Sequence, residues 1–363
     1  MQVLGTDRDT NQFSAIRGEQ AGNPFYVAVF PLRLIPNLFR FNELDVPAEL
    51  RAQRKLNRAR VPQIASYLSS NPNGYVLSAL TASIDASVKF VPLGHAETER
   101  DVGVLLVPKT ARILINDGQH RRAAIERAIV QQPSLADHKI AVLFFEDVGL
   151  RRSQQMFADL NKYAVRPSES LSTLYDGRDP SSEVARFLSE NCAVFRGLTE
   201  VERSSISNRS TKLFTLSSIK HATRALLRKG PKDPVSDTEK LLALDYWETV
   251  GDAMPDWGDV RARQCPTAHL RAKYIHAHGV ALLALGIAGA DLLSSRPKDW
   301  KGSVRKLRTI NWARDNPLWA SRALRHGRVS KATTNVRLTA NVIKRNFGVR
   351  LTLDEEKLES HLK

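Results

Sequence analysis

The chain has 363 residues, 42% of them hydrophobic, so it is long enough for one large domain or two ordinary ones and can bury a full core. Its two cysteines, Cys192 and Cys265, provide neither a disulfide framework nor a metal-ligand pair, which favours a reducing, cytoplasmic environment. The formal net charge of +16 at pH 7 indicates a polyanionic partner, with nucleic acid as the leading one.

The first twenty residues are polar and mixed in charge, unlike a signal or transit peptide, and predict a frayed start. Apolar, β-branched runs predict five strands, over residues 25–30, 75–84, 102–108, 112–116 and 139–145. The stretch 47–71 predicts two short helices broken at Pro62. The most apolar run, 279–293, is too short to span a bilayer, so no membrane segment is expected.

Helical spacing of apolar residues predicts helices over residues 120–132, 151–161, 182–191, 213–229, 236–254, 267–294, 300–311 and 330–346. Ser236 and Glu239 form a predicted capping box. Strands and helices alternate up to about residue 170, and strand patterns fade beyond it. We therefore predict an α+β or α/β fold, with an α/β domain over 1–170 that contains a mixed sheet and a mostly α-helical domain over 171–363.

A strand, a turn and a helix meet at residues 117–122, DGQHRR, on the predicted sheet edge where α/β proteins usually bind ligands. Gly118 permits a tight turn, and the first N–H groups of the following helix form an anion site. The candidate phosphate-binding residues are Gly118, Gln119, Arg121 and Arg122. Asp117 and His120 are the catalytic candidates, the first holding a metal ion or orienting a water and the second acting as general acid or base.

A structural role explains the same residues equally well. Asp-Gly is ordinary turn chemistry, Asp117 is suited to capping the helix, and Arg121 and Arg122 are suited to salt bridges or solvent. The residues alone leave these alternatives open.

Two further stretches combine polar and cationic side chains near helix ends. Asn161 and Arg166 follow the helix predicted over 151–161, where Asn161 is also suited to a C-cap. Arg209 and Lys212 lie in NRSTKLFTLS, ahead of another helix, and are candidates for contact with a nucleic-acid backbone. N-capping explains the neighbouring hydroxyls as well.

The positive charge is concentrated in residues 296–350, which contain 15 Lys or Arg against 2 acidic residues, a net charge of +13. Phosphate neutralisation is the better explanation, because a solvated face needs less charge. The candidate DNA-binding cations here are Lys301, Arg305, Lys306, Arg308, Arg314, Arg322, Arg325, Arg328 and Lys331. Trp300, Trp312 and Trp319 are predicted to anchor helices in the core. No named DNA-binding motif is present, which favours affinity over sequence specificity.

Several chemistries lack their motifs. There is no Walker phosphate loop, no Rossmann glycine fingerprint and no zinc-protease pattern. His276 and His278 lie two apart on a predicted helix and point to different faces, so no metal site is expected.

The pentapeptide DGQHR at 117–121 makes the chain resemble the DGQHR-domain family, most closely its DndB members, which are associated with DNA phosphorothioate (sulfur) modification gene clusters. Supporting stretches occur in the family's order: RVPQIASYL at 60–68, YVLSALTASID at 75–85, FADLNKYAVRP at 157–167 and KLFTLS at 212–217. The resemblance covers most of the chain and is weakest after about residue 230.

The resemblance implies a DNA-binding negative regulator that acts at the promoter of the modification genes. DGQHR proteins are also similar in outline to the ParB and sulfiredoxin superfamily, which implies a ParB-like mixed sheet in the N-terminal domain. By that analogy, residues 117–122 line a nucleotide pocket from one side, and Asn161 and Arg166 line it from the other. The chain has Gln119-His120 where ParB proteins typically have an acidic and a basic residue, which separates it from their pattern for nucleotide hydrolysis.

The expected function is a cytoplasmic transcriptional repressor of a DNA phosphorothioate-modification gene cluster, bound to double-stranded promoter DNA as a homo-oligomer through the segment 296–350. The alternative is a ParB-like nucleotide-binding enzyme or switch, an NTPase or a DNA nickase, that uses ATP with Mg²⁺ at the DGQHR turn. A third hypothesis is a subunit that binds partner proteins of the modification complex. The first hypothesis requires no cofactor, and the sequence does not decide whether the chain is an enzyme.

Overall fold

The structure is a computed structural model that describes residues 9–39, 59–147, 160, 167–207, 209–295 and 298–362. Residue contacts divide the chain into two compact units, Met1–Val165 and Arg166–Lys363, called here the N-terminal and C-terminal units. The described part of the first unit contains a mixed sheet with helices, and that of the second is mostly helical. The predicted α+β class is therefore confirmed.

A seven-stranded sheet forms the centre of the described N-terminal unit. Its strands are β1 Thr10–Gln20, β2 Asn23–Pro31, β3 Leu80–Ile84, β4 Lys89–Pro92, β5 Val102–Pro108, β6 Ile113–Asp117 and β7 Lys139–Glu146. They lie in the order β4-β5-β1-β2-β7-β3-β6, which puts β6 at an edge. Neighbouring strands are antiparallel except β3 and β7, which are parallel.

The helices of this unit include two that pack with the sheet in one core. Those described are α1 Ile35–Leu38, α2 Arg60–Ser70, α3 Glu97–Arg100 and α4 Gln119–Gln131, with 3-10 turns at Leu32–Leu34 and Pro133–Asp137. Helices α2 and α4 share one buried cluster with the sheet, in which Leu68 and Ile125 join Val142 and Phe144. Burying each such side chain contributes about 1.5–3 kcal/mol, so this core fixes the start of α4 at the end of β6.

The first strand corrects the prediction of a frayed start. Residues 10–20 form β1, which pairs with both β5 and β2 and buries Ala15. Its turn into β2 has positive φ at Ala21 and Gly22. The strand is polar because only a few of its side chains face the core, so hydrophobic patterning did not reveal it.

Two other boundaries differ from prediction. Helix α2 runs through Pro62 rather than breaking there, because proline in the first turn lacks only an N–H that has no helical partner. Residues 75–79 stay outside β3, since the carbonyls of Ser78 and Ala79 accept hydrogen bonds from Arg121. The start of the stretch 47–71 lies outside the described residues, as does the helix predicted over 151–161 apart from Leu160.

The C-terminal unit is built around a buried central helix. Its described helices are α5 Glu169–Tyr175, α6 Pro180–Asn191, α7 Leu216–Leu226, α8 Asp237–Asp252, α9 Pro255–Arg261, α10 Thr267–Lys273, α11 Gly279–Ser294, α12 Trp300–Arg305, α13 Thr333–Phe347 and α14 Leu353–Ser360. Helix α11 is apolar all round and packs against α7 and α13. A Cβ on Gly286 would lie 2.1 Å from the Ala222 carbonyl oxygen, so glycine permits the close approach of α7.

Short strands and 3-10 turns complete this unit. Strands β8 Thr199–Glu200 and β9 Phe214–Thr215 are parallel, whereas β10 Leu324–Arg325 and β11 Arg328–Val329 form an antiparallel hairpin. The 3-10 turns are Lys306–Thr309 and Pro317–Trp319. The capping box predicted at Ser236 and Glu239 is confirmed at the start of α8.

The helix predicted over 267–294 is divided into α10 and α11. The backbone N–H of Ile275 donates to Trp312 (2.9 Å), and the N–H of Arg314 donates to Lys273 (2.8 Å). These pairings with a distant segment replace the helical hydrogen bonds at 274–278. His276 and His278 therefore lie in a connection rather than on a helix.

Candidate functional site

The DGQHR turn joins edge strand β6 to helix α4. Gly118 occupies the N-cap position with φ of 105°, a conformation that L side chains rarely adopt. A Cβ at Gly118 would also lie 2.4 Å from Cδ2 of Leu80. The turn therefore requires glycine for both its backbone angle and its packing.

The guanidinium group of Arg121 donates hydrogen bonds to oxygen atoms of the protein itself. Its Nη1 donates to the carbonyls of Ser78 (2.7 Å) and Ala79 (2.6 Å) and to the Ser78 hydroxyl (2.6 Å). Its Nη2 forms an i,i+4 salt bridge with Asp117 at 2.5 Å. Arg121 thus ties the segment entering β3 to the first turn of α4, so a phosphate would have to compete with these acceptors.

The guanidinium group of Arg122 also donates hydrogen bonds to oxygen atoms of the protein. Its Nε donates to the Phe39 carbonyl (3.1 Å) and its Nη2 to the Pro36 carbonyl (3.0 Å), both at the end of α1. Its Nη1 reaches Glu126 at 3.1 Å. The side chain therefore caps α1 and pairs along α4.

The remaining residues of the motif differ in exposure. Gln119 is buried, and its amide nitrogen lies 3.4 Å from the Ile115 carbonyl oxygen. Burial lowers the pKa of His120, the Arg60 guanidinium lowers it further, and Asp117 raises it. Asp117 keeps 46% of its side chain exposed. Phosphate binding and catalysis at this turn stay predictions, and Asn161 and Arg166 lie outside the described residues.

The predicted DNA-binding cations of the C-terminal unit fall into three groups by their partners. In the first group the charge is neutralised by an acid, as Lys301 pairs with Asp245 (2.6 Å) and Arg322 with Glu359 (2.7 Å). Arg322 keeps only 18% of its side chain exposed. These two cations hold helices together, and their charge is compensated locally.

In the second group the side chain donates to a backbone carbonyl. Lys212 donates to Gly197 (2.9 Å), Arg308 to Asp252 (2.6 Å) and Arg314 to Gly327 (3.0 Å). A carbonyl accepts a hydrogen bond without cancelling the positive charge. These cations therefore support the fold while contributing to the positive potential of the unit.

The third group consists of exposed cations whose side chains have no hydrogen bond or ion pair within the described residues: Arg209, Arg305, Lys306, Arg325, Arg328 and Lys331. Arg337, which the sequence analysis did not single out, has the same character on α13. Its exposed position on a helix that buries its other side is the signal that would have identified it.

Three members of the third group lie on or next to the hairpin β10–β11, namely Arg325, Arg328 and Lys331. Arg325 and Arg328 are cross-strand partners, and the turn between them consists of His326 and Gly327. Their φ values of 49° and 72° fit a two-residue type I′ turn. Hydrophobic patterning did not predict this hairpin, although a residue–glycine pair between alternating apolar and basic residues, LRHGRV, is its signal.

The three tryptophans of the segment belong to the core, as predicted. Trp312 and Trp319 are buried and stack at a centroid distance of 5.0 Å. Trp300 is partly buried and stacks with Tyr246 at 6.2 Å. Their rings hold the backbone that carries the exposed cations.

A comparison with protein-family models bears on both regions. The model named DndB, described as DNA-sulfur modification-associated, matches residues 13–350. The chain belongs to the DndB family. This match confirms the resemblance found in the sequence and links the chain to DNA sulfur modification. Searches of curated proteins and of solved structures gave no significant match.

In this DndB chain the positive field also acts on a histidine behind the hairpin. Burial lowers the pKa of His278 to about 4, and the charges of Arg314, Arg271 and Lys331 act in the same direction against a hydrogen bond to the Arg271 carbonyl. The neutral imidazole is therefore the stable form in the fold.

Two further features of the DndB chain concern ligands and membranes. Within the described ranges, no three His, Cys, Asp or Glu side chains are grouped so that they could hold a metal ion. The helices in those ranges are all too short or too polar to span a bilayer.

Proposed function

We propose that this DndB chain is a DNA-binding transcriptional repressor that acts at the promoter of a DNA phosphorothioate-modification gene cluster. The family supplies the link to DNA sulfur modification. The observation that supports DNA binding is the group of exposed cations in the C-terminal unit that have no acidic partner within the described residues.

These cations favour a polyanion because their mutual repulsion is uncompensated in the fold. Other cations of the same unit are paired with carboxylates, as seen for Lys301, Arg322 and Lys344. Arg305, Lys306 and Arg328 are left without such partners in the described structure. Duplex DNA would neutralise them and release its own counterions, which makes binding favourable and strongly salt-dependent.

The resemblance to the family implies a negative regulator of the modification genes. Such a regulator acts on the DNA that precedes those genes, so the promoter is the proposed target. A homo-oligomer is part of the proposal, since repressors of palindromic sites match the two-fold symmetry of their operators. Contact with proteins of the modification complex is compatible with this role and is tested separately by co-purification.

The alternative, a nucleotide-dependent switch or enzyme at the DGQHR turn, has less support from the geometry. Arg121 and Arg122, which would bind phosphates, donate to protein oxygens instead. A bound nucleotide would need to displace those hydrogen bonds and leave several carbonyls without partners, at a cost of about 1–3 kcal/mol for each buried group.

Fluorescence anisotropy tests both functions in one experiment. A labelled duplex from the region upstream of the gene is titrated with the full chain, with scrambled duplex as competitor, in the presence and absence of ATP and Mg²⁺. We expect preferential binding that does not respond to nucleotide and weakens steeply with salt. Binding that depends on nucleotide would favour the switch, and no binding to free duplex at moderate salt would favour the partner-binding subunit.

A further inference from the structure

The hairpin β10–β11 carries positive charge in an arrangement that the fold does not compensate. Arg325 and Arg328 face each other across the two strands, and like charges in directly opposite positions destabilise a sheet. Neither has an ion pair within the described residues. This cost is explained if the hairpin tip binds an anion.

The base of the hairpin is nevertheless held firmly. The buried Asn335 amide donates to the carbonyls of Ser321 and Arg322, and its oxygen accepts from the Ser330 hydroxyl (2.9 Å). The N–H of Ser330 donates to Ala323 at 2.9 Å. A rigid base presents the tip with little loss of conformational entropy on binding.

The tip itself is supported from below. Arg314 donates to the Gly327 carbonyl at 3.0 Å, which fixes the turn while the side chains of Arg325 and Arg328 remain exposed. The hairpin is therefore a fixed projection that displays two guanidinium groups and an imidazole.

Lys331 extends this charge along one side. It lines an open cavity of about 650 Å³ together with Arg325, His326 and Arg328. A Cβ on Gly279 would lie 2.9 Å from its Nζ, so the ammonium sits over the first residue of α11. A cation at the positive end of a 16-residue helix is disfavoured unless an anion joins it.

We propose that the hairpin β10–β11 enters the minor groove of duplex DNA, with Arg325, His326 and Arg328 in the groove and Lys331 at the adjacent phosphate. The tip consists of the cross-strand pair Arg325 and Arg328, joined by the turn residues His326 and Gly327. A two-stranded ribbon can enter either groove of duplex DNA, and the side chains at this tip, two Arg and one His, are of the types that are inserted into narrow minor grooves. Narrow minor grooves also concentrate the negative potential that attracts Arg and His.

This inference rests on the proposed DNA-binding function, and its experiment separates the two. Anisotropy with the upstream duplex compares the wild-type full chain, R325Q/R328Q, and the charge-matched control R196Q/R263Q. Arg196 and Arg263 are exposed, lie outside the segment 296–350, and have no side-chain partner within the described residues. A netropsin-type minor-groove ligand is then titrated into the wild-type complex.

We expect R325Q/R328Q to weaken binding by about 10- to 100-fold, the control by less than about 3-fold, and the minor-groove ligand to displace the wild-type protein. Unchanged melting temperatures show that the variants are folded. If wild type binds and the hairpin variant binds equally well, the inference fails and the proposed function stands. Binding that survives the minor-groove ligand also overturns the inference. If wild type does not bind duplex, the proposed function itself fails.

Discussion

Two arginine pairs in this chain lie next to a glycine turn. The side chains of one pair have hydrogen-bond acceptors within the protein, and those of the other pair do not. The side chains of Arg121 and Arg122 at the DGQHR turn donate to seven carbonyl, hydroxyl and carboxylate groups on Ser78, Ala79 and other residues. The side chains of Arg325 and Arg328 at the hairpin donate to no described residue. The same side chain is a structural clamp in one unit and an unpaired surface charge in the other.

We infer that the supply of acceptors, rather than the number of arginines, decides where a ligand is expected. A guanidinium has five donors in a planar fork, and a protein that supplies oxygen atoms to them has satisfied the group. A protein that supplies no acceptors leaves those donors available to a phosphate. The family motif and the expected DNA contact therefore belong to different regions of the sequence, and each can be tested alone.

The largest expected effect is loss of stability on removing the clamp. Arg121→Ala would leave the Ser78 and Ala79 carbonyls and the Asp117 carboxylate without their partner. We expect the free energy of unfolding of the N-terminal unit to fall by about 3 kcal/mol, measured by urea denaturation.

Arg127→Ala is the matched control for that variant. Arg127 lies on the same helix, is exposed, and has no side-chain partner within the described residues, so its replacement is expected to change stability by less than about 0.5 kcal/mol. R325A/R328A should be equally mild. An Arg121→Ala protein of wild-type stability that had lost ligand binding would show instead that Arg121 is a ligand group.

The glycine of the motif should give the next largest effect. In Gly118→Ala the methyl group meets Leu80 and the backbone stays at φ of 105°, so a loss of about 2–3 kcal/mol is expected. Gly22→Ala separates these causes, because Gly22 has φ of 73° with open space around it. Its loss should be about 1 kcal/mol, from the backbone angle alone. If both variants lost the same free energy of unfolding, the contact between the new methyl group and Leu80 would contribute nothing.

Local patterns predicted much of the DGQHR region. The strand expected over 112–116 is β6, Ile113–Asp117, and the helix expected over 120–132 is α4, Gln119–Gln131. Apolar periodicity and an Asp-Gly turn are sufficient for this, because both act over a few residues. The carbonyl partners of Arg121 and Arg122 lie 42 to 86 positions away in sequence, which no local pattern contains.

The basic segment shows the same limit. Its charge was evident from composition, but the acids that neutralise Lys301 and Arg322 are Asp245 and Glu359, on other helices. The break between α10 and α11 depends on hydrogen bonds to residues 312 and 314, which are likewise distant. Pairing between distant segments therefore decided both the helix boundaries and the set of unpaired cations.

A pH effect of intermediate size tests the burial of His278, which neighbouring positive charges reinforce. Because the pKa of His278 falls from its ordinary value to about 4 in the fold, the unfolded chain binds the proton more tightly. Stability should therefore decrease as pH falls from about 6.5 to about 4, by about 2 kcal/mol after allowance for partial exposure. His278→Gln should flatten this decrease in urea titrations at each pH, and an unchanged slope would contradict the lowered pKa.

The smallest expected effect distinguishes unpaired charge from total charge. R305Q/K306Q removes two exposed cations without partners in the described structure, whereas K301Q/R345Q removes two that pair with Asp245 and Glu356. Both variants have the same net charge. We expect R305Q/K306Q to weaken upstream and scrambled duplexes together, by about 3- to 10-fold, and to lower the salt slope by about 1–2.

K301Q/R345Q should change affinity less, because Lys301 and Arg345 are held by Asp245 and Glu356 and their loss removes no direct phosphate contact. The carboxylates of Asp245 and Glu356 would then be unpaired, but surface ion pairs contribute at most about 1 kcal/mol, so the fold should persist. If the two variants lost equal affinity at every salt concentration, the overall charge of the unit would govern binding. The grouping of cations by their partners would then have no functional meaning, and the contrast between the clamp and the hairpin would hold for stability alone.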